Sequence, residues 1–429
     1  MQLILRDVDV LGRGPRDLGI DGDTIADPDA LGPGARSIDC AGLVALPALV
    51  DPHTHLRDPG KGDAETIATG LTAAAAGGFG AVFVMANTDP VADTAAVVEY
   101  ERDTADGLGL CDLYPIGAVT KNLAGQELAA IEEMAASRAA VRMFSDDGMC
   151  VWRSDLMREA LERISAVGGV LAQHSQDPAL TVGAQLDEGE LSRALGKTGW
   201  PAMAESTIIA RDAIMAGYLG ARLHVCHVST ASGVEVVRWA KQQGFQVTAE
   251  ATPHHLSLDS GATASGDPDF KVNPPLRSTA DVAAVREALL DGTIDMVGTD
   301  HAPHPETAKQ CDWDRAANGM LGLETALSVV ADLFVRTGRM SWAGLAEVMS
   351  TRPARLLGLD HLYGGDLSAG RPAALCLVDP QRPWQVDPAA LSSIARNTPY
   401  KKRTYHSRVV ATVLHGRPTF DLDNVFAPA

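Results

Sequence analysis

Eight short apolar runs alternate with eight longer stretches of helical character, and this repetition leaves the chain few architectures. The short runs are 43–50, 81–85, 113–119, 140–144, 170–173, 222–228, 246–251 and 295–299. The stretches that follow them are 65–76, 94–105, 126–136, 155–167, 204–219, 232–243, 280–290 and 323–337. Runs of strand length followed by amphipathic helices, with no hairpin signal between consecutive strands, imply parallel pairing through right-handed crossovers. The expected fold class is α/β, a closed (β/α)8 TIM barrel over 47–362, whose catalytic groups belong at the C-terminal ends of the strands. An open doubly wound sheet is the alternative. Such a sheet usually binds a nucleotide, and no Gly-x-Gly-x-x-Gly follows the first strand.

The two ends of the chain read differently. Leu3–Leu5 and Asp17–Ile25 have strand character, with Asp21-Gly22 as a hairpin turn. Ala374–Val378 and Arg408–Leu414 are their counterparts at the far end, where His415-Gly416 marks another turn. Neither end can hold a core alone, so 1–46 and 363–429 are expected to combine into one small β domain. A chain of 429 residues has room for both units.

Composition excludes some functions. With 36 basic against 55 acidic residues and a net charge of −19, no basic face for nucleic acid is expected. The opening residues alternate apolar and polar and contain no long apolar run, so neither a signal peptide nor a membrane span is expected. The six cysteines are scattered, which suits free thiols in the cytoplasm. Cys226 is assigned to core packing, because neighbours in a strand face opposite ways and His227 is a candidate ligand.

Polar residues at the predicted strand ends carry the chemistry. His53 and His55 lie two apart in Asp-Pro-His-Thr-His-Leu-Arg-Asp-Pro-Gly (51–60), so strand periodicity puts both imidazoles on one face. Arg57 shares that facing. Asn87 follows the second strand, Asp146 and Asp147 the fourth, His174 the fifth and His227 the sixth. The eighth ends at Thr299-Asp300-His301-Ala302-Pro303-His304. Four histidines and two carboxylates at one mouth are a donor set for zinc, with manganese, cobalt or iron as substitutes. They exceed what one tetrahedral ion needs, which points to two ions sharing a carboxylate. A water held by such ions has a pKa lowered from about 15.7 toward 7, so hydrolysis of an amide-like bond, or its reverse, is the expected reaction. The residues alone do not choose between Asp146 and Asp147.

The remaining histidines are assigned structural roles. His224, three residues from His227, is expected on the opposite face of its strand, packed against a helix. His254 and His255 are read as structural, and His301 as orienting Asp300 or its loop. The stretch 304–320 is a long loop at the mouth, either a lid or a static surface.

Several stretches together resemble the amidohydrolase superfamily, and within it the bacterial class I dihydroorotases. These are DPHTHLRDPG (51–60), MANT (85–88), FSDDG (144–148), QHSQD (173–177), HVCHVST (224–230), TAEATPHHL (248–256), KVNPPLR (271–277), DGTIDMVGTDHAPH (291–304) and GLET (322–325). The resemblance implies His53 and His55 as ligands of a first zinc, His174 and His227 of a second, and Asp147 as the bridging carboxylate where many relatives carry a carboxylated lysine. It implies Asp300 as ligand and general acid/base, and His55, Arg57, Asn87, Asn273, His304, Asn318 and Gly319 as substrate contacts. The implied reaction is reversible cyclisation of N-carbamoyl-L-aspartate to L-dihydroorotate in pyrimidine synthesis, with two zinc ions per subunit or one. The implied assembly is a homo-oligomer, with aspartate transcarbamoylase as a further partner. A hydantoinase- or allantoinase-like enzyme and a non-catalytic structural partner of the transcarbamoylase are the alternatives. Two motifs depart from the family pattern: Met-Pro-Asn-Thr is Met85-Ala86-Asn87-Thr88 here, and His-Cys-Glu-Asp is His174-Ser175-Gln176-Asp177.

Overall fold

The computed structural model describes residues 2–427. Its centre is a closed parallel barrel. Leu49–Thr54, Phe79–Val84 and Asp112–Pro115 form one three-stranded parallel sheet. Met143–Phe144, Val170–Gln173, Leu223–Val225, Val247–Ala251 and Met296–Val297 form a five-stranded one. Parallel bridges Gly117–Phe144 and Thr54–His301 close the two sheets into a ring. The barrel interior is packed rather than hollow: Val50, Ala81, Phe83, Met143, Val170, Ala172 and Met296 fill it. Each buried Val, Phe or Met among them contributes about 1.5–3 kcal/mol of apolar transfer.

A second, eight-stranded sheet draws on both ends of the chain. Gln2–Val10 pairs with Pro15–Asp21 on one side and with Val44–Pro47 on another. Leu375–Asp379 pairs antiparallel with Val44–Pro47 and with Arg408–Leu414. The apolar run at 43–50, expected to be a single strand, is therefore two. Pro47 has no N–H to continue the ladder. On either side of that break the donors change sheets, since Ala48 N–H bonds Ala374 O at 3.0 Å and Leu49 N–H bonds Gly78 O at 2.9 Å.

The two turns came out differently. His415 and Gly416 both have positive φ and join paired Leu414 and Arg417, as expected. The first hairpin is one residue later than expected: Asp21 pairs with Thr24, so the loop is Gly22-Asp23. Only Gly22 takes the left-handed conformation there, at φ +62°.

Helices cover the barrel. The one expected at 65–76 is Ile67–Ala76, capped by the Thr66 hydroxyl, which accepts the Thr69 N–H at 3.2 Å. That leaves Glu65 outside the helix and buried. The helix expected at 323–337 is α-helical only over Ala326–Val330 and continues as a π-type turn over Ala331–Val335. No helix of the described residues is long and apolar enough to cross a membrane.

Candidate active site

His53 lies in the first barrel strand and His55 just beyond it, both inward as the period-2 pattern requires, with ring centroids 5.3 Å apart. Asp147, His174, His227 and Asp300 follow the fourth, fifth, sixth and eighth barrel strands, and all six side chains are buried. They form two adjoining donor sets. In one, Asp147 Oδ2 lies 3.6 Å from His53 Nε2 and 3.3 Å from His55 Nε2. Asp300 Oδ1 lies 3.5 and 3.0 Å from the same nitrogens. In the other, Asp147 Oδ1 is 3.1 Å from both His174 Nδ1 and His227 Nε2. Asp147 thus offers one oxygen to each set.

Whether these atoms fit a metal can be tested on the geometry. His53 Nδ1 is 2.6 Å from Glu250 Oε1, so its proton sits there and Nε2 presents a lone pair. That Nε2 is buried without a hydrogen-bond partner. An orphaned acceptor facing two carboxylate oxygens costs about 1–3 kcal/mol unless a cation joins them. A tetrahedron with bonds of about 2.0–2.1 Å has edges of about 3.3 Å, and the separations above bracket that value. The residues fit a divalent ion held by nitrogen and oxygen. Electrostatics favour positive charge at that point, where a proton and a metal ion compete for Nε2. Burial alone would raise the Asp147 and Asp300 carboxyls, but the imidazoles, His53 foremost, hold both well below the ordinary range. Burial would likewise lower His53, and the carboxylates of Glu250, Asp147 and Asp300 outweigh it.

The neighbouring carboxylates Asp146 and Asp147 point apart. Asp146 accepts the N–H groups of Val119 and Thr120 at 2.8 and 2.9 Å and the Thr120 hydroxyl, and burial pushes it up to about 6. Asp147, and not Asp146, is the carboxylate that lies among the four histidines.

Beside the donor sets lies a cavity of about 290 Å³ lined by His55, Arg57, Asn87, Asp147, His174, Asn273, Asp300, His304, Asn318 and Gly319, among others. All the expected substrate contacts meet there. Arg57 is buried, its Nε donates to Pro303 O at 3.2 Å, and among the described residues no carboxylate pairs with it. Asp58 instead accepts the Ile67 N–H at 3.1 Å. Burial lowers Arg57 only to about 10, so it stays charged at neutral pH. Gly319 has φ +147°, and a Cβ there would meet Ala302 O and His304 Nε2 at 2.8 Å. Only glycine lets that loop close on the cavity.

One expectation fails. His224 does not pack against a helix; it is buried within the sheet layer, its Nε2 3.2 Å from Glu250 Oε2 and its Nδ1 2.9 Å from Thr248 Oγ1. The period-2 argument assumed that the strand runs on to His227. It ends at Val225, and His227 has φ +33°, which turns that residue inward as well. Cys226 does pack in the barrel interior, where burial pushes its thiol up to about 12.

Three contributors were missed by sequence reasoning. Glu250 bonds His53, His224 and the His227 N–H; a glutamate inside a predicted inward-facing strand was the available signal. Gly298 makes room for it, since a Cβ there would lie 2.4 Å from Glu250 Oε2. Gln176 bonds His174 and Asn273, and its departure from the family motif was the signal. Asn397 donates to Ala302 O and Gly319 O at 3.0 and 3.1 Å and accepts the His304 N–H at 3.2 Å. Nothing local marks it. His301 bonds Glu65 at 3.4 Å and accepts the Gly322 N–H at 3.2 Å, fixing its loop.

Two adjoining nitrogen-and-carboxylate donor sets beside a pocket carrying an unpaired guanidinium suit a cyclic amidohydrolase, and comparison with known proteins narrows that class. The Dihydro-orotase-like family model matches residues 42–233. A dihydroorotase of Streptomyces coelicolor is 52% identical over 97% of this chain and 97% of its own. One of Mycobacterium tuberculosis is 48% identical over 98% of each. Among solved structures, an L-hydantoinase (dihydropyrimidinase) from Arthrobacter aurescens superposes with a TM-score of 0.86 at 26% identity, covering 98% of this chain and 96% of that one. A dihydropyrimidinase from Brevibacillus agri, 23% identical with a TM-score of 0.84 over 98% and 95%, shares the fold, a TIM barrel with a β domain. The chain belongs to the dihydroorotase family.

Proposed function

We propose that the chain interconverts N-carbamoyl-L-aspartate and L-dihydroorotate, the ring-closing step of de novo pyrimidine (UMP) synthesis. The observation that carries the choice of substrate is Arg57: a buried guanidinium without a carboxylate partner beside the donor sets. A cyclic amide bearing an exocyclic carboxylate supplies that partner.

His53, His55, Asp147 and Asp300 would hold one zinc ion, and Asp147, His174 and His227 a second. Zinc bound there supplies Lewis acidity toward the amide carbonyl and lowers the pKa of water. Asp300 is the general acid/base: in ring opening it takes a proton from the attacking water and gives it to the departing ring nitrogen. The new carboxyl then ionises, so opening releases one proton and closure consumes one. Arg57 receives the exocyclic carboxylate, helped by Asn87. Asn87 directs its Oδ1 to His55 Nδ1 at 3.0 Å and keeps its amide N–H groups for the substrate. Burial and the Arg57 charge lower His304 to about 3, so its ring is neutral, spends its one N–H on Asn318 O at 2.7 Å and offers Nδ1 as an acceptor for a substrate N–H. Asn273 Oδ1, buried without a partner, accepts a ring N–H, and the Asn318-Gly319 backbone closes the cavity over it.

We read 1–46 with 363–429 as one β unit and 47–362 as the catalytic one. We further read the enzyme as a cytoplasmic homo-oligomer, with aspartate transcarbamoylase as the partner to test; its six free thiols suit that compartment.

The deciding experiment is turnover by zinc-supplemented protein in both directions, with hydantoin and allantoin beside dihydroorotate and a chelator control. Chelator-sensitive turnover of dihydroorotate alone is the expected result. Turnover of hydantoin instead overturns the substrate, and no turnover despite bound zinc brings the non-catalytic partner forward.

A further inference from the structure

His53 and His174 lie on opposite sides of Asp147, and each ring is backed by a single acceptor. Behind His53 stands a carboxylate, Glu250, 2.6 Å from Nδ1. Behind His174 stands a neutral amide, Gln176, whose Oε1 is 2.7 Å from Nε2. The orientation of that amide follows from its surroundings. The Thr181 hydroxyl donates to Asp177 O at 2.9 Å, so it accepts from Gln176 Nε2, also at 2.9 Å. That turns Oε1 toward His174 and toward the Asn273 amide, which donates to it at 3.0 Å. An amide oxygen only accepts. His174 therefore carries its proton on Nε2 and directs the Nδ1 lone pair to the second donor set. The two rings are held in equivalent fashion, but the charge behind them differs. A carboxylate behind an imidazole N–H raises the basicity of the other nitrogen more than an amide does.

We infer that Gln176 is a positioning residue that fixes the His174 tautomer and makes the His174/His227 set the weaker of the two ion-binding sets. The inference rests on the metal reading above. Its test is stepwise zinc binding to chelator-stripped protein, with bound metal counted by atomic emission after dialysis against buffered zinc, for wild type, Gln176→Glu and Gln176→Leu.

Wild type is expected to fill in two separated steps. Gln176→Glu should tighten only the weaker step by about 10–100-fold, and Gln176→Leu should weaken it by a similar factor. The glutamate variant is isosteric and decides alone if the leucine variant does not fold. Coincident steps in wild type, or a weaker step that Gln176→Glu leaves in place, overturn the inference while the metal centre stands. If wild type stops at one ion, gain of a second in Gln176→Glu supports the inference and its absence overturns it. A wild type that retains no zinc overturns the metal centre and this inference together.

Discussion

The two walls of the cavity are built differently. One is made of strand ends: His53, His55, Asp147, His174, His227 and Asp300 each leave the barrel within a few residues of a paired strand. The other is made of loops, carrying Asn273, His304, Asn318 and Gly319. The strand wall takes its geometry from the sheet. The loop wall takes it from side chains that gather backbone carbonyls: Asn397 ties Ala302 to Gly319. Lys309 Nζ donates to Pro268 O, Lys271 O and Ala317 O at 2.9, 3.1 and 2.8 Å. On the function proposed above, proton transfer and the Arg57 and Asn87 contacts sit at strand ends, and the remaining substrate contacts on segments that can change without disturbing that frame.

The largest expected effect breaks the strand wall. Asp300→Ala should lower kcat by about 10³-fold or more, with far-UV dichroism and the thermal midpoint close to wild type. Appreciable turnover in that variant removes its assigned role. Next comes the residue that bridges the walls. Arg57→Gln gives up a charge-assisted contact of about 1.5–3 kcal/mol, or about 10–150-fold in kcat/KM. The loss should fall mainly on KM for dihydroorotate. A change carried by kcat alone would place Arg57 with the reacting atoms instead.

The same division explains what the sequence disclosed. Strand-borne donors were legible because period 2 and the C-terminal-end rule act within a few residues, so His53, His55, His174 and Asp300 were placed at the barrel mouth without a structure. That rule misplaced His224, because one left-handed residue at His227 ends the alternation. It was blind to Asp146 against Asp147, whose fates are decided by Thr120 on another strand end. The loop wall was barely legible. Asn397 lies nearly a hundred residues from Ala302, in a stretch without periodicity, and only the folded chain brings it there. Glu65 read as helix, yet its carboxylate is held by His301 and Ser393 from distant segments.

Asn397→Ala sharpens the comparison from the loop side. Removing its amide leaves Ala302 O and Gly319 O without that donor and the His304 N–H without an acceptor. Each buried group left unsatisfied costs about 1–3 kcal/mol. A lower thermal midpoint and a several-fold higher KM are expected with kcat nearly unchanged. If kcat falls as far as KM rises, the two walls are mechanically coupled and the division is wrong.

The smallest effect concerns the strap at 391–397. Glu324 accepts the Ser392 N–H at 2.7 Å, and burial pushes its carboxyl from 4.5 up to about 7 against the opposing Ser392 and Ser393 bonds. A carboxyl whose folded pKa lies above its unfolded one stabilises the fold fully below the unfolded value, and that contribution is lost as pH rises through the folded value. Glu324→Gln keeps an acceptor for Ser392 and has no charge to bury. Its thermal midpoint, measured by scanning calorimetry relative to wild type, should therefore climb between about pH 4.5 and 7 and level off above. Because Asn397 in the strap ties Ala302 to Gly319, KM should follow the same window. A midpoint difference that is flat across the window would show that the strap is held without regard to the charge on Glu324, leaving Asn397 as its anchor.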